Sequence, residues 1–445
     1  MLTFPGWDLN LTAMKNRLAV FLFCLFATWC TAQSYTSFFT GNEENIDAQP
    51  EFGLCLMGGA GESDEAMTWF LEKANGGDVV VIRTSGSDGY NDYMFSDLGV
   101  DVNSVETILF NEPEASTDPY VIDKLNNAEA IWMAGGNQAT YVSYWKDTPV
   151  EDAINNLLNE IGGPVGGISA GTAVMGQGYF GAVAGTITQE EALANPFDNS
   201  LILGWDDFIQ APFMENVITE THTNDPDRIR YGRIFSFMAR LGYDQGIRPL
   251  GMAPNEYCAI AINADGIARA FGEFPDFEDD YVYFLQPNCE GPQGPEIIEE
   301  DTPLTWNRGG EAVKVYRLPA TISGENFFDL NDWNTGSGGE WENWYAIEGE
   351  LTRDSEPEAP DCFLSVVENG VSPLLVYPNP AQTQLHLDGD FEPNARFEIF
   401  DLAGRMVNRG SLANASIDVS GLSSGIYRLS VNSGIKVFSS SFVKN

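Results

Sequence analysis

The sequence predicts an α/β protein, a mainly parallel sheet with helices on both faces, followed by a small all-β sandwich. Three observations carry this reading. Between about residues 50 and 270, short apolar runs alternate with amphipathic helix-compatible segments, the pattern of strands joined by crossovers. Several of those runs close on glycine turns, where ligand sites of such sheets collect. From 372 to 445 the pattern becomes short strands separated by turn signals, as in a sandwich.

The elements follow in order. Residues 52–57 form the first strand, ending in Gly58-Gly59-Ala60-Gly61. Residues 63–75 form a helix with Ala66, Phe70 and Leu71 on its apolar face. Residues 78–83 are a β-branched strand, 106–110 another, and 128–134 a third that closes on Gly135-Gly136-Asn137-Gln138. A helix over 151–161 feeds a short strand signal, Gly163-Pro164-Val165-Gly166, and then Gly167-Ile168-Ser169-Ala170-Gly171. This Gly-x-Ser-x-Gly run leads into helix-compatible residues 172–175. A serine on a sharp strand-to-helix turn projects its hydroxyl clear of the sheet. Residues 271–350 are acidic and rich in tryptophan (Trp306, Trp333, Trp341, Trp344) and read as an irregular β extension packed on the body, with tryptophan as core filling. Residues 351–371 include Ser355-Glu356-Pro357-Glu358-Ala359-Pro360, a linker composition.

The body is therefore expected over 50–270, the extension over 271–350, the linker over 351–371 and the tail over 372–445. Residues 1–32 read as a signal peptide whose start is Met14. Met14-Lys15-Asn16-Arg17 is its basic region, 18–29 its apolar stretch, and Cys30-Thr31-Ala32 its cleavage site. That stretch is too short for a membrane span, so the expected product is exported, with no transmembrane segment.

Charge and residue counts exclude several classes. The 65 acidic and 22 basic residues give a net charge of −43, which argues against nucleic acid or an anionic membrane as partner. A solvated acidic surface explains most of it. Of six cysteines, Cys55 and Cys258 sit in apolar runs and read as buried thiols, while Cys289 and Cys362 lie in loop-like sequence where an exported protein permits a disulfide. None has metal-ligand spacing, so neither metal nor organic cofactor is expected. The oligomeric state is left open.

Ser169 is the nucleophile candidate, and a serine needs a base oriented by a third group. The chain has only two histidines, and His386 lies in the tail, so the base is His222. The third member is a carboxylate. Glu256, at the start of an apolar strand, is the first candidate; Asp225 and Asp227 compete. Backbone N–H groups of Gly136 and Ala170 are the oxyanion candidates. The chain order Ser, His, Glu differs from that of α/β-hydrolases.

These residues carry a resemblance. Met57-Gly58-Gly59-Ala60, Ala134-Gly135-Gly136-Asn137-Gln138, the 166–175 segment around Ser169, Glu191-Ala192-Leu193-Ala194-Asn195-Pro196, Thr221-His222-Thr223 with Arg228, Arg230, Gly232 and Arg233, and residues 251–260 together resemble the cyanophycinase and peptidase E group of serine peptidases. That group shares its fold with class I glutamine amidotransferases. The resemblance implies a Ser169, His222, Glu256 triad and a β-aspartyl substrate, notably the aspartate–arginine polymer cyanophycin, with release of Asp-Arg dipeptides. It makes Gln138, Arg228 and Arg230 candidate substrate contacts, although an arginine here is equally a surface ion-pair partner. Two departures are visible: Asp225-Pro226-Asp227 lengthens the segment after His222, and Asn255 stands where the group often has aspartate. Other readings are a non-catalytic surface binding protein on a disabled peptidase fold, and a dipeptidase or amidase for small aspartyl peptides.

The tail carries a second resemblance. Tyr377-Pro378-Asn379-Pro380, the run from 399 to 407, the run from 418 to 427 and the near-terminal Lys444 resemble the C-terminal sorting domain of the type IX secretion system. This implies the type IX machinery as a partner and a product that is secreted or attached to the cell surface.

Overall fold

The computed structural model describes residues 33–289, 293–355 and, between 372 and 445, all except 389–390, 392–394, 401–404, 413–414 and 434–435. The expected signal peptide, the linker beyond Ser355 with Cys362, and residues 401–404 of the sorting-domain run lie outside the described residues. The chain divides into two units, Met1–Asp361 and Cys362–Asn445.

The first unit opens with strand β1 (Tyr35–Gly41), then β2 (Gly53–Met57), helix α1 (Asp64–Lys73), β3 (Asp78–Arg83), β4 (Ser104–Phe110), α2 (Pro119–Asn126), β5 (Ala130–Met133), α3 (Gln138–Trp145), α4 (Pro149–Asn156) and β6 (Pro164–Ile168). Strands β4, β3, β5, β6 and β2 lie side by side in that order, all parallel. The alternation of side chains explains why helices are needed on both faces. Leu54, Leu56, Val80, Ile82, Ile131 and Met133 pack on one side with Trp145 of α3 and Ile154 of α4. Cys55, Met57, Val79, Val81, Ala130 and Trp132 pack on the other with Phe70 and Leu71 of α1. Ser63 caps α1 by accepting the Ala66 N–H, and Asp64 and Glu65 favour its positive end.

Antiparallel strands extend this core on both edges. β1 pairs with β4. On the other side, β11 (Ala259–Asn263) pairs with β2, followed by β12 (Ile267–Phe274), β15 (Phe327–Asp329) and β16 (Gly336–Ser337). The sheet is therefore parallel at its centre and mixed as a whole.

A second sheet runs, among the described residues, β18 (Glu350–Asp354), β17 (Glu340–Ile347), β14 (Val313–Pro319), β13 (Tyr281–Pro287), β10 (Leu250–Pro254), β9 (Val217–Thr219), β7 (Gly178–Phe180), β8 (Leu203–Trp205). The acidic, Trp-rich stretch thus forms regular antiparallel strands that enter both sheets. Charged residues inside the strands hid this regularity. Glu342 is buried in β17, where it accepts the Trp344 indole N–H at 2.8 Å and meets Arg317 Nε at 3.2 Å. Trp306 and Trp344 are fully buried and Trp333 and Trp341 nearly so, so they fill core. Cys55 and Cys258 are buried free thiols, and burial pushes both thiols up. Cys289 is disulfide-bonded.

The second unit is a two-sheet β structure. Strands at Ser372–Pro373, Lys436–Lys444, Gly425–Ser433, Arg396–Phe400 and Met406–Ser411 form one sheet, and Leu375–Tyr377, Gln384–Asp388 and Ser416–Asp418 the other. Leu385, Ile399, Ile417, Leu429, Val431 and Phe442 lie in their shared core.

Candidate active site

The register of the central sheet brings three chain segments to one place. β5 pairs Met133 with Gly167 of β6, and β2 pairs Met57 with Ile168. The turns that follow these strands, Gly135-Gly136, Ser169 and Gly58-Gly59, therefore emerge side by side at the carboxyl end of the sheet. Ser169 has φ 53 and ψ −111, off the regular regions, and opens helix α5 (Ala170–Ala173). Its own N–H is held by the Met57 carbonyl at 3.1 Å. Such a backbone costs on the order of 1–3 kcal/mol and persists only where its surroundings enforce it. Gly171 is part of that enforcement, because a Cβ there would stand 2.2 Å from the Met133 carbonyl oxygen. Thr172 Oγ1 adds hydrogen bonds to the Met57 and Gly167 carbonyls at 2.8 and 2.7 Å.

His222 comes from the second sheet. It lies three residues past β9, not within a strand, and has φ 52. Its N–H bonds to the Gly58 carbonyl at 2.9 Å. Its ring lies directly over Gly59, whose φ is +125. Glu256 sits in the turn between β10 and β11, which links the second sheet to the first; it precedes the strand it was expected to begin. Ser169 Oγ stands 2.8 Å from His222 Nε2, and His222 Nδ1 stands 2.6 Å from Glu256 Oε1. His222 and Glu256 keep 21% and 19% side-chain exposure, so the pair is sheltered yet reachable. Asp225 is otherwise engaged, accepting the Asp227 N–H at 3.0 Å and lying 3.9 Å from Arg228, and Asp227 is exposed.

The two loops are tied together by groups with no sequence signal. Asn224 Oδ1 accepts the Glu256 N–H at 2.8 Å, Thr223 Oγ1 donates to the Pro254 carbonyl at 3.0 Å, and Tyr257 N–H donates to Gly59 O at 2.9 Å. Beneath His222, Glu220 and Arg233 form a buried two-pronged ion pair, with contacts of 2.9 and 2.7 Å. Arg233 lies on helix α7 (Tyr231–Gln245), which follows α6 (Gln189–Ala194) in the chain.

 

The apolar spacing of Ile234, Phe235, Phe237, Met238 and Leu241 on α7 is the helix signal that sequence reading passed over.

The remaining candidates divide. Gly136 is exposed, and a methyl on its neighbour Gly135 would stand 3.8 Å from Ser169 Cβ, so the turn abuts the serine. Ala170 opens a helix, so its N–H has no intrahelical acceptor. Gln138 begins α3 directly after that turn and is partly exposed. Arg230 is half-buried and donates Nη1–H to the Thr221 carbonyl at 3.2 Å, one residue from His222; burial holds its guanidinium below the usual arginine range. Arg228 points outward, with 64% side-chain exposure. Among the described residues no cluster of His, Cys, Asp or Glu is arranged to hold a metal ion.

A serine, an imidazole and a carboxylate in hydrogen-bonded series on strand-end turns are the constellation of a serine hydrolase. The comparisons narrow the class. Residues 88–194 match Peptidase family S51, and residues 375–445 match the secretion system C-terminal sorting domain. A stretch similar to S51 peptidases thus precedes one similar to sorting tails, and the first similarity supports a serine peptidase. The first match includes Ser169 and ends before His222 and Glu256. The tail marks the protein for type IX export, to the cell surface or the medium. No helix among the described residues is long and apolar enough to cross a membrane. No curated protein matches the chain. Among solved structures, a peptidase from an acI-B1 Actinobacterium is 14% identical, with 63% of this chain and 98% of that one covered at a TM-score of 0.38. A putative peptidase E protein from Listeria monocytogenes EGD-e is 18% identical, with 49% and 97% covered at 0.30. PorZ, a surface component of the type IX secretion system of Porphyromonas gingivalis, is 11% identical, with 42% and 30% covered at 0.15.

Proposed function

We propose that this protein is an exported serine peptidase that cleaves β-aspartyl peptides, with an aspartate–arginine polymer as substrate and Asp-Arg dipeptides as product. The observation that carries the reading is the continuous series Ser169 Oγ, His222 Nε2, His222 Nδ1, Glu256 Oε1, at 2.8 and 2.6 Å. In this mechanism His222 Nε2 takes the Ser169 hydroxyl proton as Oγ attacks the scissile carbonyl. The oxyanion is held by the Gly136 and Ala170 N–H groups. Glu256 accepts the Nδ1–H and stabilises the imidazolium. His222 then protonates the leaving amine, and water attacks the acyl-enzyme by the same route in reverse.

Two features favour a substrate bearing both charges. Arg230 presents a half-buried guanidinium one residue from His222, suited to a carboxylate. Tyr257, next to Glu256 in the chain, borders a cavity of about 540 Å3 lined by Glu62, Asp64, Glu65, Glu273 and Asp280, suited to a guanidinium arm. Gln138 and Arg228 complete the proposed substrate contacts.

The test uses purified protein with the aspartate–arginine polymer and with β- and α-linked Asp-Arg peptides, read by mass spectrometry. Release of Asp-Arg dipeptides is expected, and Ser169→Ala is expected to cut it by roughly 10³-fold or more. Turnover that survives Ser169→Ala in a clean preparation overturns the mechanism.

A further inference from the structure

Two cavities adjoin near Arg230. The first, about 270 Å3, includes Thr188, Arg228, Arg230 and Arg233. The second, about 500 Å3, includes Tyr231, Pro303, Glu348, Glu350 and Arg353. They share Gln189, Glu190 and Ile229 as common wall. The first is lined by Arg230, which bonds to the Thr221 carbonyl next to His222 in the chain, and the second reaches the β17–β18 hairpin, beyond the residues that match the peptidase family.

The far end is built rigidly. Gly349 N–H at the hairpin tip bonds to the Leu304 carbonyl at 2.9 Å, Glu348 N–H to Thr305 Oγ1 at 3.0 Å, and Leu304 N–H to the Leu193 carbonyl at 2.8 Å. Hairpin, loop and the Gln189–Ala194 helix thus hold one another at fixed separation. Arg353 lies across this wall, its guanidinium carbon 3.9 Å from the centre of the Tyr231 ring and 5.5 Å from that of Trp344. Stacking holds the guanidinium by its face and leaves the N–H edge free. In a chain with 65 acidic residues, the Arg353 guanidinium makes no ion pair and no hydrogen bond among the described residues. Exposed Glu348 and Glu350 flank it on the same cavity.

We propose that this hairpin cavity is a distal subsite that holds a further unit of a polymeric substrate, with its carboxylate on the Arg353 edge and its guanidinium against Glu348 and Glu350. A planar guanidinium fork accepts a carboxylate through two parallel hydrogen bonds, and the flanking acids complement the opposite charge on the same unit. The inference rests on the function proposed above and adds to it that chain length is read at a distance from the triad.

The experiment compares kcat/KM on the aspartate–arginine polymer with kcat/KM on an oligomer of two Asp-Arg units, for wild type, Arg353→Ala and Arg353→Lys. The polymer-to-oligomer ratio is expected to fall about tenfold in Arg353→Ala, mainly through KM, and to lie between in Arg353→Lys, which keeps the charge without the fork. A purely structural role lowers both substrates together and leaves the ratio unchanged, which overturns the subsite. A wild-type protein that cleaves both with equal efficiency also overturns the subsite while the function stands. A wild-type protein that cleaves neither overturns the function and the subsite with it.

Discussion

Gly59→Ala isolates the geometry on which the triad depends. A Cβ at Gly59 would stand 2.3 Å from His222 Cε1 and 2.4 Å from Nε2. Relieving that contact needs a movement of about 1 Å, given carbon contacts of roughly 3.5 Å. The backbone has little room to retreat, because the Gly58 carbonyl holds His222 N–H and the Gly59 carbonyl holds Tyr257 N–H, each at 2.9 Å. The ring must therefore give way, and the 2.8 Å contact to Ser169 Oγ opens beyond hydrogen-bond reach. A displacement of about 1 Å costs on the order of 10²-fold in rate, or about 2.7 kcal/mol of activation energy. The φ of +125 adds strain of roughly 1–3 kcal/mol to the folded state. The assay is the second-order rate of covalent labelling by a fluorophosphonate, which needs no knowledge of the substrate, with Ser169→Ala as the unlabelled control and a urea unfolding curve alongside. A folded Gly59→Ala protein that labels at the wild-type rate refutes the claim that the glycine makes room for the imidazole.

Three further outcomes are expected. Glu256→Gln keeps the shape of the side chain but removes the charge on Nδ1, and should slow labelling by about 10²–10⁴-fold with little change in unfolding midpoint; near-wild-type labelling would assign the orienting role elsewhere. Arg233→Met leaves Glu220 buried without its partner, so urea unfolding should show a loss of about 3–5 kcal/mol, most of it recovered in Glu220→Gln/Arg233→Met; a double variant no more stable than the single one contradicts this. Burial raises the Asp280 carboxyl above its ordinary value. The native state then holds its proton more tightly than the unfolded chain, so this group's cost to stability is absent below about pH 3.9 and grows as pH rises toward the folded value. Asp280→Asn keeps an acceptor for the Glu273 N–H and should be more stable than wild type at pH 7, with the advantage fading in acid; a pH-independent difference in urea midpoint goes against the assignment.

The parallel core was legible because its strands are uninterrupted apolar runs, as in Val79, Val80, Val81 and Ile82, with helices of clear periodicity between them. Ser169 was legible from its glycine frame, and His222 from the scarcity of histidine. What escaped is held by backbone geometry or by contacts between distant segments. The left-handed backbone of His222 leaves no pattern in the residues around it. Asn224 reaches Glu256 across 32 positions, a contact no local spacing announces. The 271–350 stretch read as irregular because Lys314 and Glu342 interrupt its alternation, and both are buried next to charged neighbours, Glu311 at 3.7 Å and Arg317 at 3.2 Å.

That stretch is not an accessory to the site. Ser169 stands at the end of a strand of the first sheet, His222 beyond a strand of the second, and Glu256 on the turn that joins them. β10, which leads into Glu256, is paired on one side with β9, which leads into His222, and on the other with β13 of the Trp-rich stretch. β13 in turn is paired with β14, and β14 with β17. Without those strands β10 would be an edge, and Ala253, Tyr283, Leu285, Val315 and Trp344 would lose the core they share. The proposed nucleophile thus depends on the parallel sheet, whereas the relative placing of the proposed base and acid depends on the antiparallel one. A serine at a strand end becomes part of a triad here only because the acidic, tryptophan-rich segment completes the sheet that carries its partners.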